Sequence, residues 1–159
     1  MHPNPEQSFL IREDDLSGEQ TRNLLRLHLE GMHAHSPAGS VFALDVTGLQ
    51  VAAVTVWTLR IDQAVAGIAA LKDLGDGSGE IKSMRTHPCF LRRGVAAALL
   101  DHIINVARAR GMRQLSLETG SGPAFEPALQ LYRGRGFTAG GAFADYKKSA
   151  FNQFLRLSL

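Results

Sequence analysis

The sequence predicts an α+β fold, layered as α/β, in which helices flank one central sheet. Three observations predict it. Two strand-like runs, residues 51–61 and 64–72, are joined by the two-residue turn Asp62-Gln63. Two segments of helical period, residues 95–110 and 127–135, are each stopped by a glycine, Gly111 and Gly136. The elements follow the order β-α-(α)-β-β-β-α-β-α-β-β, which fits one sheet with helices packed on it. At 159 residues and 17.2 kDa the chain has the size of one domain, residues 1–159.

Residues 8–12 read as a short strand running into Glu13-Asp14-Asp15-Leu16-Ser17, an acidic stretch suited to capping a helix. Leu24, Leu25, Leu27, Leu29 and Met32 then mark an amphipathic helix ending between Gly31 and His35. Ser36-Pro37-Ala38-Gly39 breaks the chain, and a short helix or turn is expected through Leu44. The run 51–61 is rich in β-branched residues and contains the only tryptophan, Trp57. Residues 73–79 hold three glycines and turn the chain into a strand over 80–86. Val95, Leu99, Leu100, Ile103, Ile104, Val106 and Ala107 give residues 95–110 the clearest helical face. A strand over 115–118 precedes the helix 127–135, and residues 137–146 and 151–157 read as a terminal strand pair.

Composition excludes several classes. A hydrophobic fraction of 45% with 20% charged residues suits a folded chain, apart from the N-terminal His2-Pro3-Asn4-Pro5. No apolar run approaches the roughly 20 residues that span a bilayer, and no basic-then-apolar leader opens the sequence, so no membrane partner is expected. The single cysteine, Cys89, cannot form an intrachain disulfide and reads as a structural thiol. These features lead to the expectation of a cytoplasmic protein. Net charge is +2 but unevenly spread: residues 1–80 carry eleven acids and five bases, residues 81–159 four acids and twelve bases. The basic half suits an anionic ligand. Its bases are not interleaved with stackable aromatics, which disfavours nucleic acid as a partner. His28, His33 and His35 lack neighbouring Cys or carboxylate ligands, so no metal is expected.

Leu91-Arg92-Arg93-Gly94-Val95-Ala96 stands between a strand and the strongest helix. A helix leaves its first backbone N–H groups unpartnered, and its dipole adds partial positive charge there. Gly94 and Ala96 are small enough for phosphate oxygens to approach that backbone, while Arg92 and Arg93 add charge. No Ser, Thr, Asp or Asn immediately precedes Val95, so an anion could take the place of a cap. The dinucleotide fingerprint G-x-G-x-x-G and the P-loop G-x-x-x-x-G-K-[ST] are both absent.

With Met84-Arg85-Thr86-His87-Pro88 ahead of it, this stretch resembles the main signature of the GNAT superfamily of acyl-CoA-dependent N-acyltransferases. That signature is a strand, often ending in Pro, followed by [QR]-x-x-G-x-[GA] opening a helix; Leu91 stands where the family has Gln or Arg. A second family signature, A-x-x-L-Y-x-x-x-G-F, is complete from Ala128 through Leu131-Tyr132 to Gly136-Phe137, although Phe125 replaces the Asn that commonly precedes it. The strings G-E-I-K-S-M-R from Gly79, S-L-E-T-G-S from Ser116 and F-A-D-Y from Phe143 resemble a small bacterial branch, the YsnE-like acetyltransferases. The resemblance is strong over residues 80–137 and implies the GNAT fold, with a mixed, mostly antiparallel twisted sheet.

The resemblance also implies a chemistry: an acceptor amine attacks the thioester of acetyl-CoA directly, with acetyl-CoA as acyl donor and no metal. Acetyl-CoA is expected against Met84 and Thr86, through backbone groups, and against Leu91, Arg92, Arg93, Gly94, Val95, Ala96 and Ala97. Tyr132 is the implied acid that protonates the CoA thiolate. Glu80 is the first candidate for the base, because it lies fourteen residues before Gly94, the offset of the base in the histone-modifying branch. Its competing role is an ion pair with Lys82 or a helix N-terminus. Glu118 is the alternative base. His35 and Ser36 are expected in the acceptor wall with Glu118, since family members build that wall from the first helical region. The acceptor is a small-molecule or peptide amine, and a homodimer is compatible with the resemblance. The competing function is an acyl-CoA-binding sensor or interaction module without catalysis.

Overall fold

The computed structural model describes residues 8–42 and 44–159. The N-terminal Pro-containing segment and Ala43, within the turn expected through Leu44, lie outside the described residues. The strands are β1 (Leu10–Glu13), β2 (Val54–Ile61), β3 (Ala64–Asp73), β4 (Ser78–Thr86), β5 (Gln114–Thr119), β6 (Thr138–Ala139) and β7 (Gln153–Ser158). The helices are α1 (Glu19–His35), α2 (Val46–Leu49), α3 (Val95–Ala109) and α4 (Glu126–Gly134), with single 3₁₀ turns at Pro88–Phe90 and Pro123–Phe125.

One seven-stranded sheet runs in the order β1-β2-β3-β4-β5-β7-β6. Every neighbouring pair is antiparallel except β4 with β5. The β2–β3 hairpin turns on Asp62 and Gln63, both at positive φ, the twist a two-residue hairpin needs. Alternation in β2 and β3 divides the core. Trp57, Leu59, Ala69 and Leu71 face α3, whereas Val56, Ile68 and Ala70 face α1 and α2. Thr21, Leu24, Leu25 and His28 form the buried stripe of α1 at spacings of three and four.

Helix α3 is fixed by close approach to the sheet. A Cβ on Gly67 would stand 2.5 Å from Val95 Cγ1 and 2.9 Å from Leu99 Cδ1, so only glycine lets the first turn of α3 sit this near β3. Val95, Leu99, Leu100, Ile103, Ile104 and Ala107 are all buried there. The N-terminus of α3 is thereby held at the edge of a split in the sheet.

That split follows from the one parallel pairing. β4 and β5 are in register only from Ser78 opposite Gln114 to Glu80 opposite Ser116. Beyond Glu80, β4 has no strand partner on that side. A bulge reorients the same strand: Lys82 pairs with Ala70 and Arg85 with Ile68, so Ser83 and Met84 together face the single residue Ala69. Ser83 has φ 56°, the left-handed backbone that such a bulge imposes.

Several boundaries differ from the sequence reading. The strand predicted over 137–146 shrinks to Thr138–Ala139. Gly140 still donates to the Phe154 carbonyl at 2.9 Å, after which the chain turns and packs Phe143 and Tyr146 on Phe154. The aromatic pattern that reads as strand there serves loop packing. The short helix falls at Val46–Leu49, where Asp45 caps it by accepting from the Gly48 N–H at 2.8 Å. The strand read from Val51 begins at Val54, after a turn closed by the Val54 N–H on the Val51 carbonyl. The N-cap of α1 is Gly18, without a side-chain cap; Asp14 accepts from the Leu16 N–H and the Thr21 hydroxyl in the preceding loop.

Candidate active site

The split opens a cleft of about 630 Å³ between β4, β5, α1, the start of α3 and α4. Its walls follow from strand alternation. Cross-strand neighbours project to the same side, so Glu80 beside Lys72, Lys82 beside Ala70 and Arg85 beside Ile68 all lie on the α1 side of the sheet. Lys82 and Arg85 share a side at a spacing of three only because the Ser83 bulge breaks the period of two. Ser116 pairs with Glu80, so Glu118, two residues on, belongs to that side as well.

On this side Glu80 is buried, with 3% exposure, and forms an ion pair with Lys82 Nζ at 3.0 Å. Tyr146 completes a triangle: its hydroxyl accepts from Lys82 Nζ at 2.7 Å and donates to Glu80 Oε2. Burial and the Glu80 carboxylate push the Tyr146 phenol up out of reach of ordinary pH. Glu80 Oε2 thus accepts from both Lys82 and Tyr146.

Glu118 has a different environment. Burial lifts its carboxyl from an ordinary value near 4.5 to about 7, opposed in part by the Lys82 ammonium and the Asn152 amide, while Glu80 adds to the rise. A carboxyl lifted to about 7 in this cleft suits proton transfer near neutrality.

The other end of the cleft is built by the α3 N-terminus and by α4. Gly94 is the N-cap of α3 with φ 81°, and no side chain bonds the first turn. A Cβ added there would meet no atom within 4 Å, so the backbone stands open to the cleft. No acid lies in the first turn, and Arg92 lines the opening. These are the properties of an anion cradle, and they fit the diphosphate of a coenzyme A thioester. Tyr132 is buried on α4, and its hydroxyl contacts Met84 Sδ at 3.7 Å across the cleft. Burial raises this phenol to about 12, so it keeps its proton and remains a donor.

The cleft gathers most of the residues expected from sequence: Glu80, Met84, Thr86, Leu91, Arg92, Gly94, Val95, Ala96, Ala97, Glu118, Tyr132 and His35. Two fall outside its lining. Arg93 instead sets its guanidinium 5.4 Å from the centre of the Phe90 ring. Ser36 has a buried hydroxyl with no hydrogen-bond partner among the described residues. Sequence reasoning gave no role to Tyr146, Phe42 or His28, which also line the cleft. Tyr146 lies in the F-A-D-Y string, so a signal existed without any indication of its contact.

Comparison with known proteins identifies the family and the fold. The family model "Acetyltransferase (GNAT) family" matches residues 20–137. The chain is 45% identical over 151 residues to the uncharacterized N-acetyltransferase YedL of Escherichia coli, covering 95% of each chain. It is 44% identical over 149 residues to the uncharacterized N-acetyltransferase YsnE of Bacillus subtilis, covering 94% of this chain and 99% of the other. A GNAT family acetyltransferase from Elizabethkingia anophelis, solved with acetyl-CoA bound, shares the fold at a TM-score of 0.72 and 15% identity, over 95% of this chain and 98% of that one.

Proposed function

The chain belongs to the acetyltransferase (GNAT) family, and from that premise we propose that it transfers an acetyl group from acetyl-CoA to an amine of a small molecule or peptide by direct attack in a ternary complex. The observation that carries the reading is Glu118, a carboxyl lifted to about 7 in the cleft that also holds the open α3 N-terminus. One domain, acting in the cytoplasm, is sufficient for this chemistry. No helix among the described residues is long and apolar enough to cross a membrane.

Bound acetyl-CoA supplies an activated acyl group, the thioester. The α3 backbone at Gly94–Ala96 and Arg92 hold its diphosphate. β4 offers backbone groups along the side left unpaired beyond Glu80, where an extended pantetheine chain can lie. Glu118 takes a proton from the acceptor ammonium, the neutral amine forms its bond to the acyl carbon as the carbon–sulfur bond breaks, and the second nitrogen proton, shed as the amide forms, replaces the one that Tyr132 gives up. Tyr132 donates a proton to the departing sulfur. Burial keeps the phenol protonated until the thiolate forms. Glu80, Lys82 and Tyr146 form the acceptor wall beside Glu118, whose pKa Lys82 lowers and Glu80 raises. This assignment moves the base from Glu80 to Glu118.

Tyr132→Phe tests the acid directly. It should lower kcat by about 10²-fold for a slow, weakly activated acceptor and leave the KM for acetyl-CoA within about twofold. The assay follows free thiol release at saturating acetyl-CoA. An unchanged kcat would remove Tyr132 from proton transfer.

A further inference from the structure

The α1 side of the cleft contains a cation that the acetyl-transfer reading leaves unused. The ion pairs among the described residues are Asp14–Arg60, Glu80–Lys82 and Asp101–Arg135, and Arg85 belongs to none. Arg85 is half-buried, lines the cleft and is held firmly in place. Its Nε donates to His28 Nδ1 at 3.0 Å, and its Nη2 reaches the His28 carbonyl at 3.4 Å. The guanidinium also lies against Gly31, where a Cβ would stand 2.9 Å from Nη2 and 3.3 Å from Nη1. Nη1 has no hydrogen-bond partner among the described residues, so this fixed guanidinium, with no anion of its own, keeps donors for one.

The neighbouring groups favour the same ligand. The donated Nε–H makes His28 Nδ1 an acceptor, so the ring is neutral with its proton on Nε2, and burial beside Arg85 lowers its pKa to about 4. His28 brings no charge to compete with Arg85. Glu80 is neutralised by Lys82, and Glu118 is the further carboxyl that lines the cleft. Along β4, Lys82 and Arg85 stand opposite Ala70 and Ile68, two positions or about 7 Å apart. Glu118 lies near the Lys82 level, because Ser116 is opposite Glu80. Met32 and Phe42 add apolar surface to the same wall.

We infer that the acceptor is an amine carrying its own carboxylate, an amino acid with an apolar side chain, whose carboxylate pairs with Arg85 while its amine faces Glu118. The inference rests on the acetyl-transfer reading and narrows its substrate. The balanced step is unchanged: a nitrogen–carbon bond replaces the carbon–sulfur bond, one ammonium proton passes to Glu118, Tyr132 protonates the sulfur, which leaves as free thiol, and the second nitrogen proton restores Tyr132.

The test measures thiol release from acetyl-CoA with a panel of L-amino acids, phenylalanine and methionine first, each paired with its carboxamide. The wild-type protein should prefer the carboxylate member by about tenfold or more in kcat/KM. Arg85→Gln should raise the KM for that acceptor on the order of thirtyfold and bring the preference near one, with the KM for acetyl-CoA unchanged. Arg85→Lys, which retains the charge without the planar fork, should fall between. The unchanged acetyl-CoA KM establishes that the variants are folded. Carboxamides used as well as the acids, or a preference surviving in Arg85→Gln, would overturn the carboxylate assignment and leave acetyl transfer standing. Bound acetyl-CoA with no thiol release from any pair would overturn the amino-acid acceptor, and no release from simple amines and peptides either would overturn acetyl transfer as well.

Discussion

Glu118→Gln should lower turnover by about 10²–10⁴-fold and at the same time stabilise the protein at alkaline pH. The first effect follows from removing the proton acceptor while keeping the shape of the side chain. In the wild-type protein kcat/KM should rise with pH until Glu118 has ionised at about 7, and the variant should lose that limb. The second effect follows from linkage. The folded pKa lies above the ordinary value of 4.5, so the folded state holds the proton more tightly than the unfolded chain does. The corresponding stability is fully present below about 4.5 and is lost as pH rises through about 7. Glutamine carries no such dependence. Discounted for the partial exposure of Glu118, its advantage at pH 8 should be about 1–2 kcal/mol, and it should vanish at pH 4.5. Urea denaturation of both proteins at the two pH values measures it. Equal stabilities at pH 8 would show that Glu118 is not strained by its surroundings.

Lys82→Met should destabilise the fold by about 3–5 kcal/mol, because it leaves the buried Glu80 carboxylate without its cation. Glu80→Gln combined with Lys82→Met should recover most of that loss, since a neutral amide can still meet the Tyr146 hydroxyl. The two residues touch, so their effects should couple strongly rather than add. A second readout separates electrostatics from packing. Lys82 opposes the rise of Glu118, so its removal should move the pH limb of kcat/KM upward from about 7. A Lys82→Met protein within 1 kcal/mol of wild type would show that the Glu80 charge has other support.

The parts legible in the sequence are those fixed by local chemistry. Asp62-Gln63 between two β-branched runs gave the hairpin, the spacing of Val95, Leu99, Ile103 and Ala107 gave α3, and Gly94 marked its open start. The acceptor wall was harder because its contacts are distant along the chain. Glu80 and Tyr146 are 66 residues apart, and His28 and Arg85 are 57 apart. The elevated pKa of Glu118 comes from burial, which no neighbouring residue announces. Ser83 carries no sign that it takes a left-handed backbone, yet that bulge decides which side Arg85 faces. Phe143 and Tyr146 have the composition of a strand, but they pack over Phe154 and the Glu80–Lys82 pair. The i, i+2 spacing of Glu80 and Lys82 did signal their pairing, because alternate strand residues share a face.

The most direct test of the central claim is an initial-velocity study in which acetyl-CoA and an acceptor amine are varied together and free thiol is followed. Direct attack in a ternary complex predicts intersecting double-reciprocal lines and thiol release that depends on the amine. Parallel lines, with a burst of thiol before any amine is added, would indicate an acyl-enzyme and contradict the account.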